Sequence, residues 1–376
     1  MKIKAAVLHE IGAQGPYAET RPLKIEELEL DPPGEGEVLI KIKAAGLCHS
    51  DLSVINGSRP RPTPMALGHE AAGIVIETGP GVHDLREGDH VVLVFVPSCG
   101  CCIPCAEGRP ALCEPGAAVN QAGTLLSGGR RLHKQGQAVH HHLGVSAFAD
   151  HAIVSRRSLI KIDKSLPFEK AALFGCAVIT GVGAVLNTGK VIAGSTVAVV
   201  GLGGVGLNAL LGAVAAGARQ VIAIDLLEDK LSMARELGAT ATINASDPHC
   251  IERVRDLTKG GVDYGFEMAG SSPALELAWN ITRRGGQTIT AGLPHPDKVL
   301  SISPAKLVAE ERVLRGSYLG SCVPLRDIPT YIDLYQAGKL PVDQLVTDRI
   351  SLEDINAAFD DLASGAAVRQ IISFTD

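Results

Sequence analysis

Short runs of alternating hydrophobic and polar residues, separated by Gly, Pro and charged turns, fill the first third of the chain. Three of them, "MKIKAAVLHEIG" (1–12), "EVLIKIKAAG" (37–46) and "AAGIVIETG" (71–79), follow the period of two that is typical of strands. The segment "EGDHVVLVF" (87–95) continues the pattern. We therefore predict a mostly β domain that is partly antiparallel.

The pattern becomes helical around 166–188, and from Thr196 strands and helices alternate strictly. "TVAVVG" predicts a strand, "GVGLNALLGAVAAGA" a helix, "QVIAID" a strand and "LEDKLSMARELGA" a helix, and the theme repeats to "GQTITAGL". Such a βαβαβ series predicts a doubly wound parallel sheet with helices on both faces. After about Ser317 the pattern is mixed again and ends in the strand-like "VRQIISF".

Composition narrows the classes of function. The chain has 376 residues, 46% of them apolar, and a formal net charge of −6. It lacks the basic stripe of a nucleic-acid-binding protein, so we expect no nucleic acid partner. The uncharged segment 191–218 is long enough for a membrane span, but its glycines favour a buried strand that leads into a buried helix, and we expect no membrane partner.

Cysteine usage is the strongest local signal. The nine cysteines are an odd number and five of them lie between Cys99 and Cys113, which favours a metal site in a reducing, cytoplasmic compartment over paired disulfides. Four have the spacing C-x₂-C-x₂-C-x₇-C and can enclose one tetrahedral Zn²⁺, which would then be structural: Cys99, Cys102, Cys105 and Cys113. Cys101 is out of step with this spacing. An iron–sulfur cluster is the alternative occupant.

A glycine-rich turn follows the strand "TVAVV". In "GLGGVG" (201–206), the first glycine allows a tight turn, the second a close approach of a pyrophosphate, and the third close packing of helix and strand. The predicted cofactor-binding residues of this turn are Gly201, Gly203, Gly204, Val205 and Gly206. The helix that follows adds unpaired N–H groups at its start.

Asp225 ends the second strand of this series. A carboxylate there accepts hydrogen bonds from the adenosine ribose and repels a 2′-phosphate, so NAD is favoured over NADP. Lys230, one turn further on, is placed to reach the same ribose.

Three more segments complete a recognisable set: "GLCHSD" (46–51), "LGHE" (67–70) and "FGCAVITG" around Cys176. Together with the four-cysteine cluster and the glycine-rich turn, they make the chain resemble the zinc-dependent alcohol dehydrogenases of the medium-chain dehydrogenase/reductase superfamily. The long segment between Cys113 and Cys176 is more similar to the animal and plant (liver-type) subgroup.

The resemblance implies an α/β fold in which a GroES-like, mostly β catalytic domain accompanies a Rossmann NAD-binding domain. The expected ranges are 1–177 for the catalytic domain with a zinc lobe at 97–115, 178–316 for the NAD-binding domain, and 317–376 for the return to the catalytic domain.

The resemblance also implies a catalytic zinc held by Cys48, His69 and Cys176 with one coordination position left for alcohol or water. Glu70 is similar to an acid that approaches the metal transiently in the family. Asp51 is expected to hydrogen-bond the far nitrogen of His69 and thereby to select its tautomer.

Catalysis and cofactor binding follow from the same resemblance. Ser50 is expected to take the proton of the alcohol; the family's next relay group is a histidine, and Ser53 stands at that position, so water or another group would replace it. The remaining cofactor residues that the resemblance implies are His49 and Arg369 at the pyrophosphate and Thr180 and Leu293 at the nicotinamide.

The implied substrate pocket is lined by Ser50, Arg59, Phe95, Ala118, His142 and Leu293. Its apolar members favour a hydrocarbon or aryl group, and Arg59 favours a polar or anionic tail if it lies at the pocket mouth. A glutathione-dependent formaldehyde dehydrogenase is the runner-up, although Ser58, Arg59 and Arg61 stand where that branch carries acidic residues.

The sequence thus predicts an NAD-dependent alcohol dehydrogenase with two zinc ions per chain that interconverts small primary or secondary alcohols and aldehydes. Family behaviour implies a homodimer joined through the cofactor-domain sheets, or a tetramer. The alternative from another class is a zinc-stabilised protein that binds nucleotide without catalysis.

Overall fold

The computed structural model describes residues 1–374. Its strands, in chain order, are β1 (Lys2–Leu8), β2 (Leu23–Leu30), β3 (Glu37–Gly46), β4 (Met65–Ala66), β5 (Glu70–Thr78), β6 (His90–Leu93), β7 (Leu132–Lys134), β8 (Gln137–His141), β9 (His151–Ser155), β10 (Leu159–Ile162), β11 (Thr196–Val200), β12 (Gln220–Asp225), β13 (Ala241–Asn244), β14 (Val262–Glu267), β15 (Thr282–Thr290), β16 (Val313–Gly316), β17 (Val346–Ile350) and β18 (Arg369–Ser373).

The α-helices are α1 (Tyr17–Thr20), α2 (His49–Ile55), α3 (Ile103–Ala106), α4 (Glu114–Ala122), α5 (Phe168–Ala172), α6 (Ala177–Gly183), α7 (Gly204–Ala215), α8 (Glu228–Glu236), α9 (Cys250–Thr258), α10 (Ser272–Ile281), α11 (Pro304–Ala309), α12 (Pro324–Gln336) and α13 (Ile355–Ser364). A π-helical turn, Ala184–Gly189, follows α6, and short 3₁₀ turns occur at Pro110–Leu112, Arg156–Ser158, Leu173–Gly175, Leu319–Ser321, Val342–Leu345 and Leu352–Asp354.

Two compact units make up the chain. The first consists of Met1–Cys176, Val323–Pro329 and the segment that starts at Asp343. It contains a closed barrel of order β1-β2-β7-β8-β4 and a sheet of order β10-β6-β5-β3-β18-β17, with β9 also paired to β3. Alternating residues of the barrel strands point inward and form one core with the adjoining sheet, as the period of two predicts.

The second unit, Ala177–Cys322 with Thr330–Val342, is built on a six-stranded sheet of order β13-β12-β11-β14-β15-β16. All its pairings are parallel, so the predicted doubly wound sheet is confirmed. The central strand β11 is buried along its whole length, because helices cover both faces of such a sheet. One covering layer consists of α9 and α10, whose Val254 and Ala278 pack against β11 and β12.

The return to the first unit begins at Val323 rather than at residue 317. Two contacts explain why the intervening residues stay with the second unit. The side-chain amide of Asn187 donates hydrogen bonds to the carbonyl of Gly320 (3.2 Å) and to the Tyr331 hydroxyl (3.3 Å). The chain consequently passes from one unit to the other inside α12, between Pro329 and Thr330.

The helical segment predicted at 166–188 is broken into several pieces. Cys176 has φ −144° and ψ −74°, outside the helical region, and separates the 3₁₀ turn Leu173–Gly175 from α6. The uncharged segment 191–218 is divided between β11 and α7. Along the described residues, no single helix has the length and hydropathy of a membrane span; the bent pair Phe168–Gly175 and Ala177–Gly189 meets both criteria only when the two helices are taken together.

Candidate metal centre and nucleotide site

Three side chains from distant parts of the first unit meet in its interior. Cys48 immediately precedes α2, His69 immediately precedes β5, and Cys176 lies at the helix break. Their ligand atoms all lie within 4.8 Å of one another. The side chains are buried, with His69 completely inaccessible to solvent.

Sheet register explains why these residues converge. Strands β3 and β5 are antiparallel neighbours, and Gly46 at the end of β3 pairs with Glu70 at the start of β5. The residues just outside this pair, Cys48 and His69, therefore leave the sheet at the same end. Gly175 then packs so closely against the Leu93 carbonyl that a Cβ would collide with it, which brings Cys176 to the same place.

The donor set fits a zinc ion. His69 Nδ1 lies 3.1 Å from Asp51 Oδ1, whereas its buried Nε2 has no hydrogen-bond partner among residues 1–374. The hydrogen bond from the Cys176 thiol, together with the neighbouring His69, holds the pKa of Cys48 well below its usual range despite burial. Two thiol sulfurs and one free imidazole nitrogen are ligands that Zn²⁺ accepts at a catalytic site with one open position.

A buried ion pair borders the metal centre. Arg369 lies at the start of β18, which pairs with β3, and its Nη2 donates a hydrogen bond to Glu70 Oε2 at 2.5 Å. Its Nη1 donates to the carbonyl of Leu47 at 3.2 Å. Burial raises the pKa of Glu70 to about 7, although Arg369 opposes the shift. The structure thus assigns Arg369 a contact with the acid beside the metal ligands; its contact with a pyrophosphate stays a prediction.

The other predicted residues of this unit lie at different depths. Phe95 and His142 both contact the His69 ring edge-on, with ring centroids 5.2 Å and 5.5 Å away, and both are buried. Ser50 and Arg59 are half-buried, whereas His49 and Ala118 are exposed. Ala118 lies on the exposed side of α4, and its place in a substrate pocket stays a prediction.

The four-cysteine lobe is assembled as its spacing predicts. The ligand atoms of Cys99, Cys102, Cys105 and Cys113 lie within 4.8 Å of one another. Backbone N–H groups point at the sulfurs, and those of residues 101 and 102 lower the pKa of Cys99 to about 6. Cys101 is exposed and outside the group. Four thiols that close a tetrahedron leave no position for substrate, which fits a structural zinc.

The glycine-rich turn of the second unit has the geometry of a phosphate-binding loop. Gly201 has φ +90°, which a residue with a side chain rarely adopts. A Cβ at Gly206 would collide with the Gly201 carbonyl, whereas a Cβ at Gly203 would meet nothing within 4 Å. A glycine at position 206 is thus required for packing. The absence of a side chain at Gly203 keeps an open surface beside the start of α7 that suits a pyrophosphate.

Asp225 organises the neighbouring cavity. Its carboxylate accepts hydrogen bonds from the backbone N–H groups of Leu202 (2.6 Å) and Leu227 (3.0 Å), so it holds the glycine-rich turn to the end of β12. A cavity of about 430 Å³ opens beside it, lined by Ile224, Pro248 and Leu277 among others. An apolar cavity next to a carboxylate at the end of a parallel strand has the chemistry of an adenosine site.

Three predicted cofactor residues complete the second unit: Lys230 on α8 and Thr180 on α6 are half-buried, and Leu293 is 53% exposed. Glu267, which is buried at the end of β14, was not among the residues predicted from the sequence. Its two oxygens accept hydrogen bonds from the Gly270 N–H and the Thr290 hydroxyl, both at 2.6 Å. Its signal was an acid at the last position of a strand of the parallel sheet.

Both parts of the chain are similar to known proteins. The sequence profile of the "Alcohol dehydrogenase GroES-like domain" matches residues 34–164, and that of the "Zinc-binding dehydrogenase" family matches residues 204–337. The chain is also 41% identical over 376 residues to the NDMA-dependent alcohol dehydrogenase of Amycolatopsis methanolica, with 99% of each chain covered. The chain belongs to the zinc-binding alcohol dehydrogenase family. The predicted family and its two-domain fold class are therefore confirmed.

Further members of this dehydrogenase family are similar over their whole length. S-(hydroxymethyl)glutathione dehydrogenase of Paracoccus denitrificans is 36% identical with 100% of each chain covered. Among solved structures, benzyl alcohol dehydrogenase from Acinetobacter calcoaceticus is 34% identical with a TM-score of 0.93 and 100% of each chain covered. A zinc-binding dehydrogenase from Sinorhizobium meliloti, bound to NADP, is 26% identical with a TM-score of 0.79 and 100% of each chain covered.

Proposed function

We propose that this dehydrogenase transfers hydride between a primary or secondary alcohol, with its aldehyde or ketone, and NAD, using one catalytic and one structural zinc. The observation that carries the proposal is the buried set of Cys48, His69 and Cys176, whose ligand atoms lie within 4.8 Å of one another in a member of this family. The vacant Nε2 of His69 in that set has the chemistry of a metal ligand.

The residues around the metal position have separate roles in the proposed reaction. When bound, zinc supplies Lewis-acid polarisation of the alcohol oxygen and makes its proton easier to remove. Asp51 keeps the proton of His69 on Nδ1, so that Nε2 faces the metal position. Arg369 holds one oxygen of Glu70, which restrains this acid beside the thiol ligands.

Proton removal is assigned to Ser50, the half-buried hydroxyl two residues after Cys48. Ser53, which stands where the family has a histidine, donates its own hydroxyl proton to the His49 carbonyl at 2.8 Å. That bond keeps Ser53 within the turn of α2, so the proton must pass from Ser50 to water or to another group.

NAD is proposed as the hydride acceptor because Asp225 ends β12, where its negative charge would oppose a 2′-phosphate. The acceptor needs a direct test, since one relative is named for its dependence on NDMA and one neighbouring structure contains NADP. We expect turnover of benzyl alcohol and small aliphatic alcohols with NAD as the preferred nucleotide. Turnover with NDMA but with neither nucleotide added would contradict free NAD as acceptor.

Measurements of the zinc content and of activity with and without glutathione distinguish the proposed function from its alternatives. We expect two zinc ions per chain and alcohol oxidation without glutathione. Strict dependence on glutathione would instead favour the formaldehyde branch, to which the Paracoccus relative points. Binding of NADH with a single zinc and no turnover of any alcohol would indicate a non-catalytic nucleotide-binding protein.

A homodimer is proposed from the free edge of the second unit's sheet. Strand β16 is the last strand of that sheet, and an unpaired edge is a template for pairing with another chain. Exposed apolar side chains accompany it, with Val299, Val308 and Val313 83%, 76% and 37% accessible. Sedimentation should show a dimer that Val313→Lys dissociates; a tetramer remains the alternative.

The liver-type subgroup and a cytoplasmic location remain predictions from the segment between Cys113 and Cys176 and from cysteine usage. The relatives named above are bacterial.

A further inference from the structure

His142 lies beside the acid that supports the metal ligand His69. Its Nδ1 is 3.1 Å from Asp51 Oδ1, and its side chain is 1% accessible. The two atoms lie at hydrogen-bond distance but are not aligned as a hydrogen bond, and this buried nitrogen has no hydrogen-bond partner within the described part of the chain. A buried ring nitrogen with a carboxylate oxygen at this distance is stabilised by carrying a proton and sharing it with that oxygen.

Asp51 is surrounded by N–H donors on one side of its carboxylate. Its Oδ1 accepts from the backbone N–H of Gly68 at 3.1 Å and from His69 Nδ1 at 3.1 Å, and His142 approaches from a third direction. The carboxylate is fully buried, and the two imidazoles hold its pKa well below the usual range against the cost of burial. The side chain can rotate unless its donors fix it, so each donor contributes to the direction in which Asp51 faces His69.

The backbone holds His142 in place independently of its side chain. Its N–H donates to Ser146 Oγ at 2.9 Å, and its carbonyl accepts from the N–H of Val145 at 3.0 Å. Leu143 and Ser146 both have φ +52°, a left-handed conformation that surrounding contacts must maintain. The next residue, Ala147, donates to the carbonyl of Gly68 at 3.0 Å, so this turn is tied directly to the residue before His69.

We propose that His142 is a positioning residue of the catalytic metal centre, which donates its Nδ1 proton to Asp51 and thereby fixes the carboxylate that orients His69. The inference rests on the proposed function, because it assumes a metal at Cys48, His69 and Cys176. The role in a substrate-pocket wall that family resemblance implies for His142 stays a prediction beside it. The sequence could not reveal it, since Asp51 and His142 are joined only by the fold.

Replacement of the zinc at this centre by Co²⁺ gives an absorption spectrum that reports ligand geometry without turnover. We expect His142→Phe to shift the visible Co²⁺ bands and to speed release of this metal to a chelator by about tenfold, the lower end of the effect of losing an outer-shell partner. His142→Asn places an amide N–H near the position of Nδ1 and should remain within about twofold of the parent. His140→Phe, two residues earlier on β8 and with its Nδ1 accepting a hydrogen bond from Arg130, is the control and should match the parent.

Unchanged spectra and release rates in His142→Phe would overturn the proposal, and so would equal defects in the Phe and Asn variants, which would indicate ring packing alone. A nitrogen-15 NMR spectrum of the unmodified zinc enzyme gives a second test that needs no variant. His142 must be protonated at Nδ1, and a ring protonated only at Nε2 contradicts the inference. Failure of the proposed function would be visible separately, as a parent chain that holds only one metal ion.

Discussion

Acidification should destabilise the first unit through one buried histidine outside the metal centre. His141 ends β8 of the barrel and is 1% accessible, and its Nε2 accepts a hydrogen bond from the backbone N–H of Arg131 at 3.0 Å. That nitrogen must therefore carry no proton in the folded state. Burial lowers the pKa of His141 from 6.5 to about 3, and the charges of Arg130 and Arg131 act in the same direction.

The sign and size of the effect follow from proton linkage. The folded pKa lies below the unfolded pKa, so the unfolded chain binds the proton first as the pH falls. Stability is therefore greatest above pH 6.5 and decreases toward pH 3, by about 1.4 kcal/mol for each pH unit in between. At pH 5.5 His141 is almost fully protonated in the unfolded chain. Between pH 7 and pH 5.5 this residue alone should therefore lower the free energy of unfolding by about 1.2 kcal/mol.

Urea unfolding followed by circular dichroism at these two pH values measures the cost. His141→Gln keeps an acceptor for the Arg131 N–H but cannot titrate, so its loss of stability on acidification should be smaller than the parent's by about 1.2 kcal/mol. His83→Gln, at an exposed position, should behave as the parent does. Half-buried His90 and buried His142 are common to all three proteins and cancel in the comparison. Equal pH dependence of the parent and His141→Gln would refute the argument.

Four further outcomes are expected. Cys176→Ala should abolish turnover and leave NADH affinity within about tenfold, or about 1.4 kcal/mol, by fluorescence titration; normal activity would remove Cys176 from the metal shell. Asp225→Gly should lower the ratio of kcat/KM for NAD over NADP by about tenfold, and an unchanged ratio would contradict its ribose role. Gly68→Ala should lower the free energy of unfolding by about 2 kcal/mol or more and release the catalytic metal, because Gly68 has φ +93° and a Cβ would collide with Phe148. Unchanged stability and unchanged metal content would show that the turn can relax. Cys105→Ser should leave one zinc per chain by elemental analysis and speed hydrogen exchange in the lobe, whereas two retained zinc ions would exclude it as a ligand.

Sequence reasoning succeeded where the information is local. The spacing of Cys99 to Cys113 allows the four sulfurs to meet whatever the rest of the chain does, and the structure brings them together. The strand, glycine-rich turn and helix around Gly201 lie within one continuous segment, and they form as β11 and α7. Patterns of this kind depend on a few neighbouring residues, so they can be recognised in the amino-acid sequence.

Contacts between residues that lie far apart in the chain were harder to predict from the sequence. The family resemblance grouped Cys48, His69 and Cys176, but no spacing along the chain requires them to meet. The unit boundary lies at Val323 and not at the expected residue 317, and nothing in the sequence indicated the contacts of Arg369 with Glu70 or of His142 with Asp51. Each depends on which strands become neighbours and in what register.

Hydrophobic period and turn chemistry act over a few residues, so the order of residues alone was enough to predict the two kinds of domain, the cysteine lobe and the nucleotide loop. Which buried polar groups share a partner depends on the folded chain, because a carboxylate or guanidinium removed from water must find its counterpart among the groups that the fold places within about 3 Å. Around His69, the register of β3 with β5 and the turn after β8 determine which polar groups come into contact.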